Sequence, residues 1–311
     1  MVEVRNLSKK YGGVTALDNV SFTLKEGGIY ALLGRNGAGK STTMNIMTGY
    51  LEPSSGEVTV NGISMTKQPV EAKKHIGYLP EIPPLYIDMT VKEYLNFAAE
   101  LKAIPLSRRR VEVDRVVEFT GLRAVLGRLI RNLSKGYKQR VGMAYALMGF
   151  PKVIILDEPT AGVDPGQITE TRELIRSIGG EHIIVFSSHV LGEVKYLCDH
   201  ALILKKGRLV ASGSMEELER LHSDRASLFL SVKTENPAII GALSAAMEGR
   251  ETKLLRSAEG ITELSIAGDL SAREREAVFR VCCGMDSPIL DMHSESEGLE
   301  DMFLRLTREE T

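Results

Sequence analysis

The run Gly34-Arg35-Asn36-Gly37-Ala38-Gly39-Lys40-Ser41-Thr42 constrains this chain more than any other stretch. It fits the pattern G-x-x-x-x-G-K-[ST], with Gly34, Gly39, Lys40 and Ser41 at the fixed positions. Glycine lets the backbone curl until successive N–H groups point inward, where a β-carbon would obstruct an approaching oxygen. Lys40 adds a mobile positive charge for phosphate oxygens, and the Ser41 hydroxyl is a hard-oxygen ligand suited to Mg²⁺. The flanks agree with this reading. Residues 29–33 form a short apolar run that reads as a strand, and residues 41–47 read as a helix. The N-terminus of that helix adds positive dipole where the phosphates would sit. A strand, a glycine loop and a helix in this order point to a bound nucleoside triphosphate.

A chain of 311 residues is long enough for two domains and a substantial core. Its charge is uneven: about −7 from Asp224 onward and about +5 before it. The acidic end argues against nucleic acid as a partner. Three cysteines, Cys198 and the adjacent Cys282-Cys283, make neither a disulfide framework nor a common metal spacing, so a reduced, cytoplasmic compartment is expected. No apolar leader follows Met1, and no stretch approaches the roughly 20 apolar residues that a bilayer-crossing helix needs. If the protein works at a membrane, another chain does the crossing.

In chain order, residues 2–5 and 20–24 alternate as strands do, and Asn61-Gly62 marks a hairpin turn. Residues 76–79 read as a short strand that ends at Pro80. Val91, Tyr94, Leu95, Ala98 and Leu101 fall at helical spacing, with Thr90 and Glu93 as a capping box. Helices are also expected over 108–119 and 136–148, so that residues 88–150 form a helical insert. The run Arg108-Arg109-Arg110 reads as a solvated helix face. Residues 153–156 are continuously apolar, as in a strand covered on both faces, and a helix over 166–177 leads to another such strand at 183–187. Alternating strands and helices around a phosphate loop imply an α/β fold with its site at the carboxyl ends of the strands. The expected division is a nucleotide-binding domain over 1–220 and a small α+β domain over 226–311. The latter reads β-α-β-β-α-β, as in a ferredoxin-like sandwich, with a closing helix over 299–308.

Several further residues bear on chemistry. Asp157, at the end of an apolar strand, is suited to hold Mg²⁺ directly or through water, and Glu158 to take a proton from an attacking water. His189 follows the strand 183–187, where strand-end placement favours a γ-phosphate contact. Tyr11, beside Gly12 and Gly13 and about 23 residues before the phosphate loop, is placed to stack on a base. Ser134 and Gly136 open a helix in Leu133-Ser134-Lys135-Gly136-Tyr137-Lys138-Gln139-Arg140.

With these elements in order, residues 2 to about 218 strongly resemble the ATP-binding subunits of ABC transporters. Tyr11, the 34–42 loop, the segment around Glu81, the Leu133–Arg140 signature, Asp157-Glu158 and His189 carry the resemblance. Ala161-Gly162-Val163-Asp164-Pro165 looks like the family's D-loop. Residues 78–86 and the C-terminal module look like the branch that serves export-type permeases, including gliding-motility and drug-export ATPases. The resemblance implies a P-loop ATPase core with an antiparallel β subdomain and a helical insert. It also implies a head-to-tail dimer with ATP and Mg²⁺ between residues 34–42 of one subunit and Ser134 and Gly136 of the other. The partners implied are a second ATP-binding subunit (a second copy of this chain) and an integral membrane permease, with the chain peripheral on the inner face of the cell membrane. Two departures stand out. Lys135 and Tyr137 replace the first Gly and the Gln of the usual Leu-Ser-Gly-Gly-Gln, and Glu81 stands where Gln is usual. A carboxylate near γ-phosphate is repelled unless a cation lies between, so Glu81 either joins the metal or stays swung out as a coupling residue. A soluble mechanoenzyme acting on ribosomes or DNA is disfavoured by the single cassette and the absence of sustained heptads. A catalytically dead module is disfavoured by the presence of Lys40, Asp157, Glu158 and His189.

Overall fold

Alternation of apolar and polar residues builds the first sheet. Val2–Tyr11 (β1) pairs antiparallel with Val14–Leu24 (β2), burying Val2, Val4, Leu7, Leu17, Val20 and Leu24 on one side. Ile29–Leu33 (β3) begins the second sheet, and Lys40–Met47 (α1) follows it. Ser55–Val60 (β4) then returns to pair with β1, and Asn61 and Gly62, at φ 50 and 78, turn the chain into Ile63–Ser64 (β5). Both turn residues lie in the left-handed region that Asn and Gly tolerate best. The computed structural model describes residues 1–188, 190–218, 227–247, 249–295 and 303. They form two units, Met1–Met215 and Glu216–Thr311.

The second sheet carries the site. A short helix, Pro69–Lys73 (α2), leads into Ile76–Leu79 (β6). The helical insert follows as Val91–Leu101 (α3), Leu106–Thr120 (α4) and Lys135–Leu147 (α5). Then come Val153–Leu156 (β7), Pro165–Ile178 (α6), Ile183–Ser188 (β8), Leu191–Leu197 (α7), His200–Lys205 (β9) and Arg208–Ser214 (β10). The strand order is β10-β9-β3-β8-β7-β6, parallel except for β10. β3, β7 and β8 are buried at every residue, as strands covered on both faces must be. The two sheets share one core, in which Val2, Leu17 and Val58 join Leu32, Ile155 and Val185.

The capping box at Thr90 and Glu93 is formed in both directions and starts α3 where the sequence places it. Leu101, expected on the buried stripe, is exposed because the stripe fades in the last turn. The arginine run is solvated at Arg108 and Arg110 only, since Arg109 Nε donates to the Ile104 carbonyl at 2.9 Å. Gly77 allows the insert to lie close on the core, because a β-carbon there would overlap the Ala146 carbonyl oxygen of α5. Among the described residues no helix is long and apolar enough to cross a membrane. All three cysteines are free thiols.

The C-terminal unit runs Ser227–Lys233 (β11), Ala238–Ala246 (α8), Thr252–Ala258 (β12), Ile261–Ala267 (β13), Ala272–Gly284 (α9) and Ile289–Glu295 (β14). Its antiparallel sheet has the order β12-β13-β11-β14, the arrangement of a split β-α-β pair. Leu228, Leu230 and Val232 alternate inward against Ile239, Leu243 and Val278 of the two helices. The closing helix expected over 299–308 lies outside the described residues, apart from residue 303.

A second capping box, at Ser271 and Glu274, starts α9. Hydrogen bonds from the Ser271 hydroxyl and amide, then the Arg250 guanidinium, hold the Glu274 carboxyl down to about 2. Against an unfolded carboxylate near ~4.3, this interaction stabilises the fold at neutral pH and is lost as pH falls through that interval. Glu274→Gln is expected to lower the melting temperature of the C-terminal unit at pH 7, with the difference shrinking toward pH ~2. Calorimetry of the full chain as a function of pH measures this.

Candidate active site

β3 lies in the interior of the parallel sheet, and its carboxyl end delivers the glycine loop to the start of α1. Gly37 and Gly39, at φ 80 and 106, take backbone conformations closed to most side chains. A β-carbon on Gly39 would also meet Leu17 Cδ2 at 2.7 Å and the Ala16 carbonyl oxygen at 2.9 Å, so β2 packs directly beneath the loop. Gly39 is the N-cap of α1, with no side-chain cap and no acidic residue in the first turn. The first N–H groups of the helix are therefore left for an external acceptor, and the dipole favours an anion.

Lys40 Nζ donates to the Gly34 carbonyl at 2.8 Å and to that of Arg35 at 3.4 Å. Burial pushes its pKa below the usual lysine value, opposed by the nearby carboxylates of Glu158, Asp157 and Glu81. Held only by backbone carbonyls, the buried ammonium is placed to turn to phosphate oxygens.

The loop opens on a cleft of about 540 Å³ lined by Asn36, Gly37, Gly39, Lys40, Ser41 and Thr42, with Glu81, Glu158, Ala16 and Ala161 across from them. Gly34 and Ala38 do not line it. The Gly34 carbonyl anchors Lys40, and the Ala38 backbone is bonded to Arg35 and Gly207, so both hold the loop from behind.

β7 ends at Leu156, opposite Phe186 of β8, which brings Asp157 beside Ser187. Ser187 Oγ donates to Asp157 Oδ1 at 2.6 Å and accepts the Glu158 N–H at 2.8 Å. Ser41 Oγ stands 3.5 Å from the same Asp157 oxygen. Ser41 and Asp157 thus present two hard oxygens to one point, a donor set suited to Mg²⁺ that completes its shell with water and phosphate. Among the described residues no group of three His, Cys, Asp or Glu side chains could hold a metal alone. Glu158 has φ 48, an uncommon conformation for a glutamate, which the buried Ser187 hydroxyl helps to fix.

Glu81, just beyond β6, lines the phosphate cleft and also a neighbouring groove of about 690 Å³. That groove runs from Ser41 and Asp157 past Tyr78 to Lys102 and Tyr145 of the helical insert. Tyr11 sits half-exposed at the end of β1, with the Lys9 ammonium 5.3 Å from its ring centroid, and is not part of the cleft wall. Ser134 is the N-cap of α5, its Oγ accepting the Tyr137 N–H at 3.3 Å. Neither Ser134 nor Gly136 lines the chain's own cleft. His189 lies outside the described residues. Ala161, the start of the segment that looks like the D-loop, also lines the cleft, whereas Ser187 and Ala16 enter the site without having been singled out from the sequence. Of these two, Ser187 carried a signal, as a serine at the carboxyl end of a buried strand.

Residues 17–161 match the family model described as ABC transporter. An uncharacterized ABC transporter ATP-binding protein, YhcH, from Bacillus subtilis (strain 168) is 34% identical over 99% of this chain and 96% of its own length. The bacitracin transport ATP-binding protein BcrA from Bacillus licheniformis is 36% identical over 77% of this chain and 78% of its own. Among solved structures, a dimeric ATP-binding cassette in a post-hydrolysis state, bound to ADP and phosphate, aligns with a TM-score of 0.63 at 25% identity. It covers 69% of this chain and 99% of that one.

Replacing Ser187 tests how the two acids are held. Ser187→Ala leaves the Glu158 amide without its acceptor and Asp157 without its shortest donor, at a cost of about 1–3 kcal/mol in stability. Urea denaturation should show that loss, and ATP turnover should fall by roughly ten-fold as Glu158 loosens.

Proposed function

The chain belongs to the ABC transporter ATP-binding proteins, and on that premise we propose that two copies pair head to tail around two Mg–ATP. The chain is an ATPase subunit of a transport system. The observation that most supports the pairing is that Ser134 and Gly136, which open α5, do not line the chain's own cleft. That helix terminus, at Ser134, carries Lys135 and Lys138 and no acidic residue in its first turn. A serine-capped helix N-terminus outside the chain's own cleft is of use to a neighbouring copy.

In this reading Asn36, Gly37, Gly39, Lys40, Ser41 and Thr42 cradle the phosphates of ATP, with Gly34 and Ala38 bracing the loop behind them, and Lys40 neutralises the β- and γ-oxygens. Ser41 and Asp157 would hold Mg²⁺, which supplies charge neutralisation at the same oxygens, with Glu81 as a further metal ligand or a coupling residue. Glu158, fixed by Ser187, receives the proton of the attacking water, and His189 touches the γ-phosphate. Tyr11, already half-exposed, stacks on the adenine. The partner's Ser134 and Gly136 close the site. ATP then holds the copies together and its hydrolysis lets them part, a two-state element biased by one phosphate. The groove bordered by Glu81 is the surface offered to a cytoplasmic segment of an integral membrane permease, with the chain peripheral on the inner face of the membrane in this reading. Likeness to BcrA supports an export-type permease, and the C-terminal unit is accessory to the cycle.

Glu158→Gln is expected to keep ATP affinity, to slow hydrolysis by at least ~100-fold and to accumulate an ATP-bound dimer. Lys40→Ala is expected to lose nucleotide binding itself. Phosphate release and equilibrium ATP binding on the purified chain with its permease measure both, and normal turnover by Glu158→Gln would remove Glu158 as the base.

A further inference from the structure

Two adjacent serines close β8, and successive residues of a strand point to opposite faces. Ser187 holds Asp157 and the Glu158 amide. Ser188, paired in register with Leu33 of β3, turns instead to α7, where its Oγ donates to Glu193 Oε2 at 2.7 Å. The same hydroxyl accepts the Val190 N–H at 3.0 Å. The Val190 carbonyl in turn accepts the Glu193 N–H at 3.1 Å and closes a tight turn. Both partners are deeply buried, Ser188 at 0% and Glu193 at 4% exposed. From α6, Arg172 brings Nη2 to 3.6 Å from Glu193 Oε1, with its guanidinium 5.9 Å from the Tyr196 ring centroid.

A buried carboxylate is an unfavourable way to fill this space. One guanidinium at 3.6 Å offsets only part of its desolvation, and a leucine of similar size would pack without that penalty. What the carboxylate does supply is a fixed acceptor for the Ser188 O–H, which leaves the hydroxyl lone pairs aimed at the Val190 amide. These two bonds tie down the backbone at residues 188 and 190. The residue between them is His189. Neither Ser188 nor Glu193 lines the phosphate cleft, so any part they take in the reaction is indirect.

We propose that Glu193 and Ser188 are positioning residues for hydrolysis, which act through His189 by fixing the backbone on both sides of it. This rests on the reading in which His189 touches the γ-phosphate. The carboxylate orients the Ser188 hydroxyl, the hydroxyl holds the Val190 amide, and the imidazole is carried on a backbone anchored to the buried end of β8 and, through Arg172, to α6. A group displaced by about 1 Å loses much of its effect in the transition state. Ground-state nucleotide binding is spread over the phosphate loop and does not depend on that placement.

A double-mutant cycle against His189 tests this, read as steady-state ATP turnover of the purified chain with its permease, with urea denaturation alongside. Ser188→Ala and Glu193→Leu are each expected to lower kcat about ten-fold with the KM for ATP within about two-fold. Glu193→Gln, whose carboxamide oxygen still accepts from Ser188, is expected to stay within about two-fold of the parent. On a His189→Ala background, Ser188→Ala is expected to change kcat by less than about two-fold, since both act through one imidazole. If Glu193→Leu does not fold, Ser188→Ala and Glu193→Gln carry the test. A full ten-fold loss on the His189→Ala background, or a lowered denaturation midpoint with kcat unchanged, overturns the positioning role while the ATPase reading stands. Normal turnover by His189→Ala itself overturns the γ-phosphate contact of His189 and this inference with it.

Discussion

The α1 terminus sets the terms for everything around it. A helix begins with N–H groups that have no partner inside the helix, and they are ordinarily satisfied by a capping side chain or by water. Here the N-cap is Gly39, which has no side chain to offer, and its φ of 106 turns the preceding backbone away from the amides. The unmet donors, the dipole and Lys40 add up to a site that is incomplete without an anion. The close approach of Ala16 and Leu17 to Gly39 explains why this terminus stays in place: β2 and the loop are packed too tightly for a side chain to enter.

The parallel sheet then supplies the acids. β8 lies between β3 and β7, with Leu33 paired to Ser188 and Leu156 to Phe186. That register brings the ends of three strands to one level, so the phosphate loop, Asp157-Glu158 and Ser187 meet without any long-range loop having to be held. Ser187 does the fixing, donating to one acid and accepting from the backbone of the next. Because all three strands are fully buried, the cost of moving them is large, and the site inherits the rigidity of the core.

Much of this was legible in the residues. Continuous apolar runs gave β3, β7 and β8, the Asn61-Gly62 pair gave its turn, and the Thr90 capping box placed the start of α3 to the residue. The features that escaped are those set by three-dimensional neighbours. The α2 helix is a single turn and a half behind Pro69, too short to show a period. The role of Ser187 depends on which strand lies beside β8, and that of Gly77 on a helix packed across it. Leu101 obeys the helical spacing yet ends exposed, because nothing covers the last turn of α3. Gly34 and Ala38 belong to the phosphate-loop run but stand behind the cleft, a distinction that spacing alone does not draw.

The central claim is that each nucleotide is closed by Lys40 of one copy and Ser134 of another. The direct measurement mixes two chains, one carrying Lys40→Ala and one Ser134→Ala, both on the Glu158→Gln background, and counts the ATP retained per mole of protein. Each variant alone has a lesion in every site and should retain none. In a mixed dimer both lesions fall in one composite site, leaving the other intact, so the mixture should retain about one ATP per mixed dimer. A mixture that retains no more ATP than its separate components would contradict a site shared between copies.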